Sequence, residues 1–130
     1  MQKLKIIIGD DTAEYGHACG AALKSCGFEV ENCRKDGMVL LEKIRQEKPD
    51  VVLMDAYMPG VDCLGLMDAV QKAGIKKPIF VVSTEYDNAF MNAEVLEKGA
   101  DYLVLQPFDV NVLAQRILDL TGFAGKAASK

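Results

Sequence analysis

The chain has 130 residues, half of them hydrophobic and 26% charged, and carries a net charge of −4. That length supports one domain with a real core and is short for two. The acidic balance argues against binding nucleic acid or an anionic membrane surface, and no apolar run reaches the roughly 20 residues of a membrane span.

The opening MQKLKIII stops at Gly9-Asp10-Asp11, before a signal peptide's apolar region is complete, so a cytosolic location is expected. Within it, LKIIIG (4–9) predicts the first strand. TAEYGHACGAALKSC (12–26) predicts one helix, capped by Asp11 and Thr12 and closing near Gly27. Gly16 and Gly20 weaken that helix, each by up to about 1 kcal/mol relative to alanine. FEVENC (28–33) alternates and predicts the second strand. The helix over 36–48 sets Val39, Leu40 and Ile44 on one side and meets Pro49 at its end. VVLMD (51–55) is the third strand, and 62–74 is a helix presenting Leu66, Ala69, Val70 and Ala73. PIFVVS (78–83) is the fourth strand, followed by a helix over 86–99 that ends at Gly99. YLVLQ (102–106) is the fifth strand, and the last helix, 109–122, presents Val110, Leu113, Ile117 and Leu120. The domain is expected to span 1–123, with AGKAASK (124–130) a flexible tail or the start of a linker.

Strands alternating with helices through short loops mean parallel pairing, right-handed crossovers and helices on both faces. The expected fold is therefore a single doubly wound α/β domain of five strands and five helices. The continuous apolarity of the strands fits burial on both sides of the sheet. Cys19, Cys26, Cys33 and Cys63 form no Cys-x-x-Cys pair, and His17 has no ligand-like spacing to them. Reduced thiols serving as small apolar side chains are the expectation, against a zinc site or a disulfide.

In such a sheet, ligands gather at the carboxyl ends of the strands. The first strand ends at Asp10 and Asp11, the third at Asp55, the fourth at Ser83 and Thr84, and the fifth at Gln106-Pro107. Singly, these residues read as helix caps or turn residues. Jointly, they place three carboxylates, a hydroxyl and an amide at one edge. Carboxylates brought together repel, so one gains a proton or a cation is recruited. A hard divalent cation takes oxygen ligands, and Mg²⁺ or Mn²⁺ is the expectation. A carboxylate beside such an ion is a nucleophile toward a phosphoryl group.

IIIGDD, VVLMDAYMPGVD, VVSTE and GADYLVLQPF together resemble the motifs of response-regulator receiver domains, the CheY-like family, over residues 3–122. Within that family, the stretch from Gly99 to Gly122 is similar to the receiver half of the sporulation regulator of endospore-forming bacteria. The resemblance implies a flavodoxin-like strand order, 2-1-3-4-5. It implies that Asp55 accepts a phosphoryl group from a histidine kinase or phosphotransfer protein. Asp10, Asp11, Asp55 and the backbone carbonyl of Tyr57 would hold the metal. Ser83 would turn its hydroxyl to the phosphoryl group, and the Gln106–Pro107 bond would be cis. The face made by the last two helices and the fifth strand would change with phosphorylation and serve dimerisation or output contacts. No catalytic activity is expected beyond slow self-dephosphorylation. Three positions depart from the family pattern. Gln106 stands where lysine is usual, Cys63 where glycine is common, and Leu103 where many relatives place a mobile aromatic.

Gln106 supports an alternative, a pseudo-receiver acting by binding or oligomerisation without phosphate, because an amide has donors but no charge. An aspartyl-phosphate phosphatase would carry a second aspartate two residues after the nucleophile, where this chain has Tyr57. An FMN carrier would have a hydroxyl-rich loop where Asp10 and Asp11 stand.

Overall fold

The computed structural model describes residues 3–85 and 88–122. Five parallel strands, β1 (Lys5–Ile8), β2 (Glu29–Asn32), β3 (Val51–Asp55), β4 (Ile79–Thr84) and β5 (Tyr102–Leu105), form one sheet in the order β2-β1-β3-β4-β5. The helices are α1 (Ala18–Ser25), α2 (Gly37–Glu47), α3 (Cys63–Lys72), α4 (Ala89–Lys98) and α5 (Val110–Thr121). The expected strand order and alternation are both present. Residues 124–130, the expected tail, lie outside the described residues, as do Tyr86 and Asp87 at the expected start of α4.

Successive residues of a strand point to opposite faces. Ile7, Val52, Met54, Phe80 and Val82 therefore face one way and pack under α2, α3 and α4, against Leu40, Ile44, Leu66, Val70 and Val95. Ile6, Ile8, Leu53 and Val81 face the other way and pack under α1 and α5, against Leu23, Leu113 and Ile117. Both sets are almost wholly buried, which is why these strands read as unbroken apolar runs. All four cysteines are free and buried, and they divide between the same two layers. Leu120, expected on the buried face of α5, is exposed; Leu118 takes the inner position.

The expected helix over 12–26 is two pieces. Ala13–His17 forms a π-helical turn, with the His17 amide donating to the Thr12 carbonyl at 2.9 Å, and α1 follows. Close approach explains the wide turn and its glycine: a Cβ on Gly16 would lie 2.0 Å from the carbonyl oxygen of Asp10. The chain here is pressed onto the residue that ends β1, and only glycine fits.

α2 starts under a similar constraint. The Gly37 amide donates to the Pro59 carbonyl at 2.8 Å, and a Cβ on Gly37 would meet the Val61 carbonyl oxygen at 1.9 Å. Asp36 caps the helix by accepting from the amides of Met38 and Val39. The loop entering α2 is thereby packed against the loop leaving β3.

Candidate functional site

The sheet order reverses direction between β1 and β3, since β2 and β3 flank β1. At such a point the connections diverge to opposite faces and leave a crevice at the carboxyl ends of the strands. Asp10 and Asp11 follow β1, Asp55 ends β3, and Ser83 lies on β4 directly opposite Asp55 in the strand register. Gln106 follows β5, with its amide N–H bonded to the Thr84 carbonyl at 2.8 Å. The Gln106–Pro107 bond is cis, as the resemblance implied.

Asp55 is partly buried, its side chain 13% exposed. Its Oδ2 accepts from the Lys35 ammonium at 2.9 Å and, through a longer contact of 3.4 Å, from the Gln106 side-chain amide. Ser83 is fully buried, and its Oγ accepts from Gln106 Nε2 at 3.0 Å and from the Tyr15 hydroxyl at 2.9 Å. Burial pushes the Tyr15 phenol well above its ordinary pKa, with its hydrogen bond to Ser83 acting the other way, so at neutral pH it is a protonated donor. The bond to Asp55, against the cost of burial, holds the Lys35 ammonium in its charged form, with a raised pKa.

Asp10 is nearly buried and Asp11 is exposed. Asp10 Oδ1 accepts from the Thr12 amide at 2.8 Å and the Thr12 hydroxyl at 2.6 Å. The Asn32 side chain, from the end of β2, donates to the carbonyls of Asp10 and Gly16, both at 2.8 Å. These bonds fix the turn after β1. Tyr15 is held further by an edge-on contact with Phe108, ring centroids 5.6 Å apart. Beside them opens a cavity of about 560 Å³ lined by Glu14, Tyr15, Glu85, Gln106, Pro107, Phe108 and Val110.

Asp55, Ser83 and Gln106 thus form one hydrogen-bonded group. Among the described residues, no three His, Cys, Asp or Glu side chains are close enough together to hold a metal ion. The donor chemistry of Asp10, Asp11, Asp55 and the Tyr57 carbonyl is oxygen alone, which fits Mg²⁺ or Mn²⁺ and not a thiolate-seeking metal. Tyr57 follows β3 and is exposed. Leu103 packs against the α2–α4 side of the core, and Tyr102 against the other.

Three contributors escape a reading of the strand ends that stops at Asp10, Asp55, Ser83 and Gln106. Lys35 lies three residues beyond β2, whose polar end, Asn32, turns to the Asp10 and Gly16 carbonyls and not to Asp55. Tyr15 and Asn32 read locally as a helix residue and a strand residue. The signal available for Lys35 was its place at the carboxyl end of a strand two positions from β3 in the sheet.

A doubly wound sheet with a polar, aspartate-centred pocket at its switch point defines a class of small α/β domains. Comparison with known proteins makes this specific: the family described as response regulator receiver domain matches residues 6–118. The chain belongs to that family, the receiver domains of two-component signalling systems. It is 30% identical over 120 residues to protein-glutamate methylesterase/protein-glutamine glutaminase 5 of Myxococcus xanthus; that match covers 92% of this chain and only 34% of the relative. Among solved structures, the signal receiver domain of the putative response regulator NarL from Mycobacterium tuberculosis aligns at TM-score 0.82 and 25% identity, covering 94% of this chain and 98% of that one. A response regulator receiver from Bermanella marisrubri aligns at TM-score 0.80 and 26% identity, covering 92% and 99%. The response regulator domain of Thermotoga maritima CheB, at 21% identity and TM-score 0.76 over 92% and 93%, shares the fold. No helix among the described residues is long and apolar enough to cross a membrane.

Proposed function

We propose that Asp55 is the phosphoacceptor of this receiver. The observation that carries the reading is the placement of a partly buried carboxylate at the end of β3, facing Ser83 in register, with two donors on its Oδ2. An Asp55 oxygen forms the new O–P bond as the P–N bond of a kinase or phosphotransfer-protein phosphohistidine breaks. The imidazole nitrogen keeps that electron pair. Asp10, Asp11, Asp55 and the Tyr57 carbonyl would hold Mg²⁺ only by drawing closer around it, since at rest these three carboxylates are not grouped tightly enough to share an ion; the ion would supply positive charge against the transferring phosphoryl group. Ser83 and Gln106 supply neutral donors to the phosphoryl oxygens, and the added charge of about −1.5 to −2 redirects the hydrogen bonds that now meet at Ser83. Transfer biases a two-state equilibrium and changes the α4-β5-α5 face, where Leu96 and Leu105 are exposed. That face suits a second copy or an output partner. The domain is taken as 1–123 and cytoplasmic, with no nucleic acid bound by this domain itself. A closer kinship with sporulation regulators rests on the Gly99–Gly122 stretch alone.

The test is uptake of a small phosphodonor's phosphoryl group, or of beryllofluoride, in the presence of Mg²⁺. Native protein is expected to be modified at one site and Asp55→Asn not at all, because the amide is a poor nucleophile. Modification that survives in the Asn protein would show that another residue is the acceptor. A second reading, a pseudo-receiver, is favoured by one observation: at rest Asp55 is already ion-paired with Lys35 and Gln106 is uncharged. It requires that native protein take up neither reagent.

A further inference from the structure

The geometry points to Lys35 as the cationic partner of the phosphorylation site, delivering from the β2 edge of the sheet a charge that Gln106 at the β5 edge does not provide. This rests on the phosphoacceptor reading of Asp55. Lys35 Nζ lies 2.9 Å from Asp55 Oδ2, the same oxygen that the neutral Gln106 amide addresses at 3.4 Å. Asp55 is thus bracketed by an ammonium and an amide from opposite edges of the sheet.

The contact is built into the fold. Two residues before Lys35, the Cys33 amide donates to the Ile8 carbonyl at 2.9 Å, and the Cys33 side chain is buried. Directly after it, Asp36 caps α2 and Gly37 is pressed onto the Pro59–Val61 loop. The short segment carrying Lys35 is therefore fastened to β1 and to the loop after β3, the two places that supply the carboxylates. Neighbouring cations point elsewhere: Arg34 pairs with Asp36 at 3.9 Å, and Lys43 pairs with Glu31. A lysine ammonium on a flexible four-carbon stem can follow charge from a carboxylate oxygen to a phosphoryl oxygen attached to it. Lys35 exchanges no proton in this role. At rest it neutralises Asp55 and competes with a metal ion; after transfer it pairs with the phosphoryl group.

The two roles predict effects of opposite sign. Lys35→Met is expected to lower beryllofluoride affinity, measured at saturating Mg²⁺, by roughly tenfold, the scale of one charge-assisted hydrogen bond. The same variant without beryllofluoride is expected to bind Mg²⁺ several-fold more tightly, read from amide shifts at Asp10, Asp11 and Asp55. Lys35→Arg is expected to keep most of the beryllofluoride affinity. Adding Gln106→Lys to the Lys35→Met protein is expected to restore it. Misfolding cannot imitate this pattern, because it weakens both ligands together; a parallel loss of both overturns the role. So does a Lys35→Met protein that binds beryllofluoride as native does while Asp55→Asn abolishes binding. Native protein that takes up no beryllofluoride overturns the phosphoacceptor reading itself, and Lys35's role with it.

Discussion

Gln106 is the residue on which the pocket's charge turns. Its amide reaches both Ser83 Oγ and Asp55 Oδ2, so it donates to the two groups that meet an incoming phosphoryl. Ser83 Oγ already accepts from two donors, Gln106 and Tyr15, which leaves its own proton to give. Neutral bonds of this kind are about half as strong as charge-assisted ones. Gln106→Lys places a second ammonium beside an oxygen that Lys35 already holds. The unmodified variant is expected to bind Mg²⁺ more weakly than native and to respond more fully to beryllofluoride at the α4-β5-α5 face. Metal titration and amide-shift mapping on the two proteins, side by side, check both. Equal metal affinity together with an equal response would mark glutamine as a neutral replacement.

One element that depends on a side chain's absence is the π-helical turn Ala13–His17. It brings Tyr15 to Ser83 and packs Gly16 on the Asp10 carbonyl, while Asn32 ties the same carbonyl to β2. A methyl group on Gly16 has no room, and the obstacle is backbone, which cannot step aside as a flexible side chain could. Gly16→Ala is expected to destabilise the fold by about 1–3 kcal/mol, the usual cost of overpacking, although alanine is the better helix former. It is also expected to disturb amide signals of Asp10, Thr12 and Ser83. Chemical denaturation and amide spectra measure the two effects; a stabilised variant would mean that the turn rearranges to an ordinary α-helix at no cost. An amphipathic pattern over 12–26 cannot distinguish a π turn from an α turn. Both place apolar residues on one side, and the decision lies in the contact with Asp10.

At the scale of the molecule, the sheet divides two apolar layers, and each holds two of the four cysteines. Burial raises the thiols of Cys19 and Cys33 to about 11 and that of Cys63 to about 12. Cys26 is raised as well, again chiefly by burial. An exposed thiol titrates near 8.5, and the thiolate is the reactive form. In the folded protein the thiols of Cys19, Cys33 and Cys63 therefore stay protonated between about pH 8 and 10, where the unfolded chain loses its protons. The sign follows: unfolding releases protons there, so the contribution is fully present below the unfolded pKa and stability falls as pH rises through that window. Native protein at pH 8 is expected to react slowly with an alkylating reagent at all four cysteines, and denatured protein quickly at four. Mass spectrometry after timed quenching counts them; a fast-reacting native thiol would contradict the burial.

Alternating apolar strands and helices with capped ends were legible along the chain, because period-2 and period-3.6 burial write themselves into consecutive residues. VVLMD and PIFVVS could hardly be anything but interior parallel strands. Asp10, Asp55, Ser83 and Gln106 were legible as site candidates because the fold class alone sends strand ends to one edge. The pairing of Lys35 with Asp55 was not. It depends on β2 lying beside β1, on Cys33 and Gly37 fastening the loop between them, and on a side chain long enough to cross to β3. Tyr15's bond to Ser83 and the π turn that aims it depend likewise on contacts between residues far apart in sequence, 68 positions in that case. Local pattern determined which elements form and which face of each is buried. Only packing in three dimensions decided which charges meet, because an ion pair is set by distances between elements and leaves no periodic trace in either one.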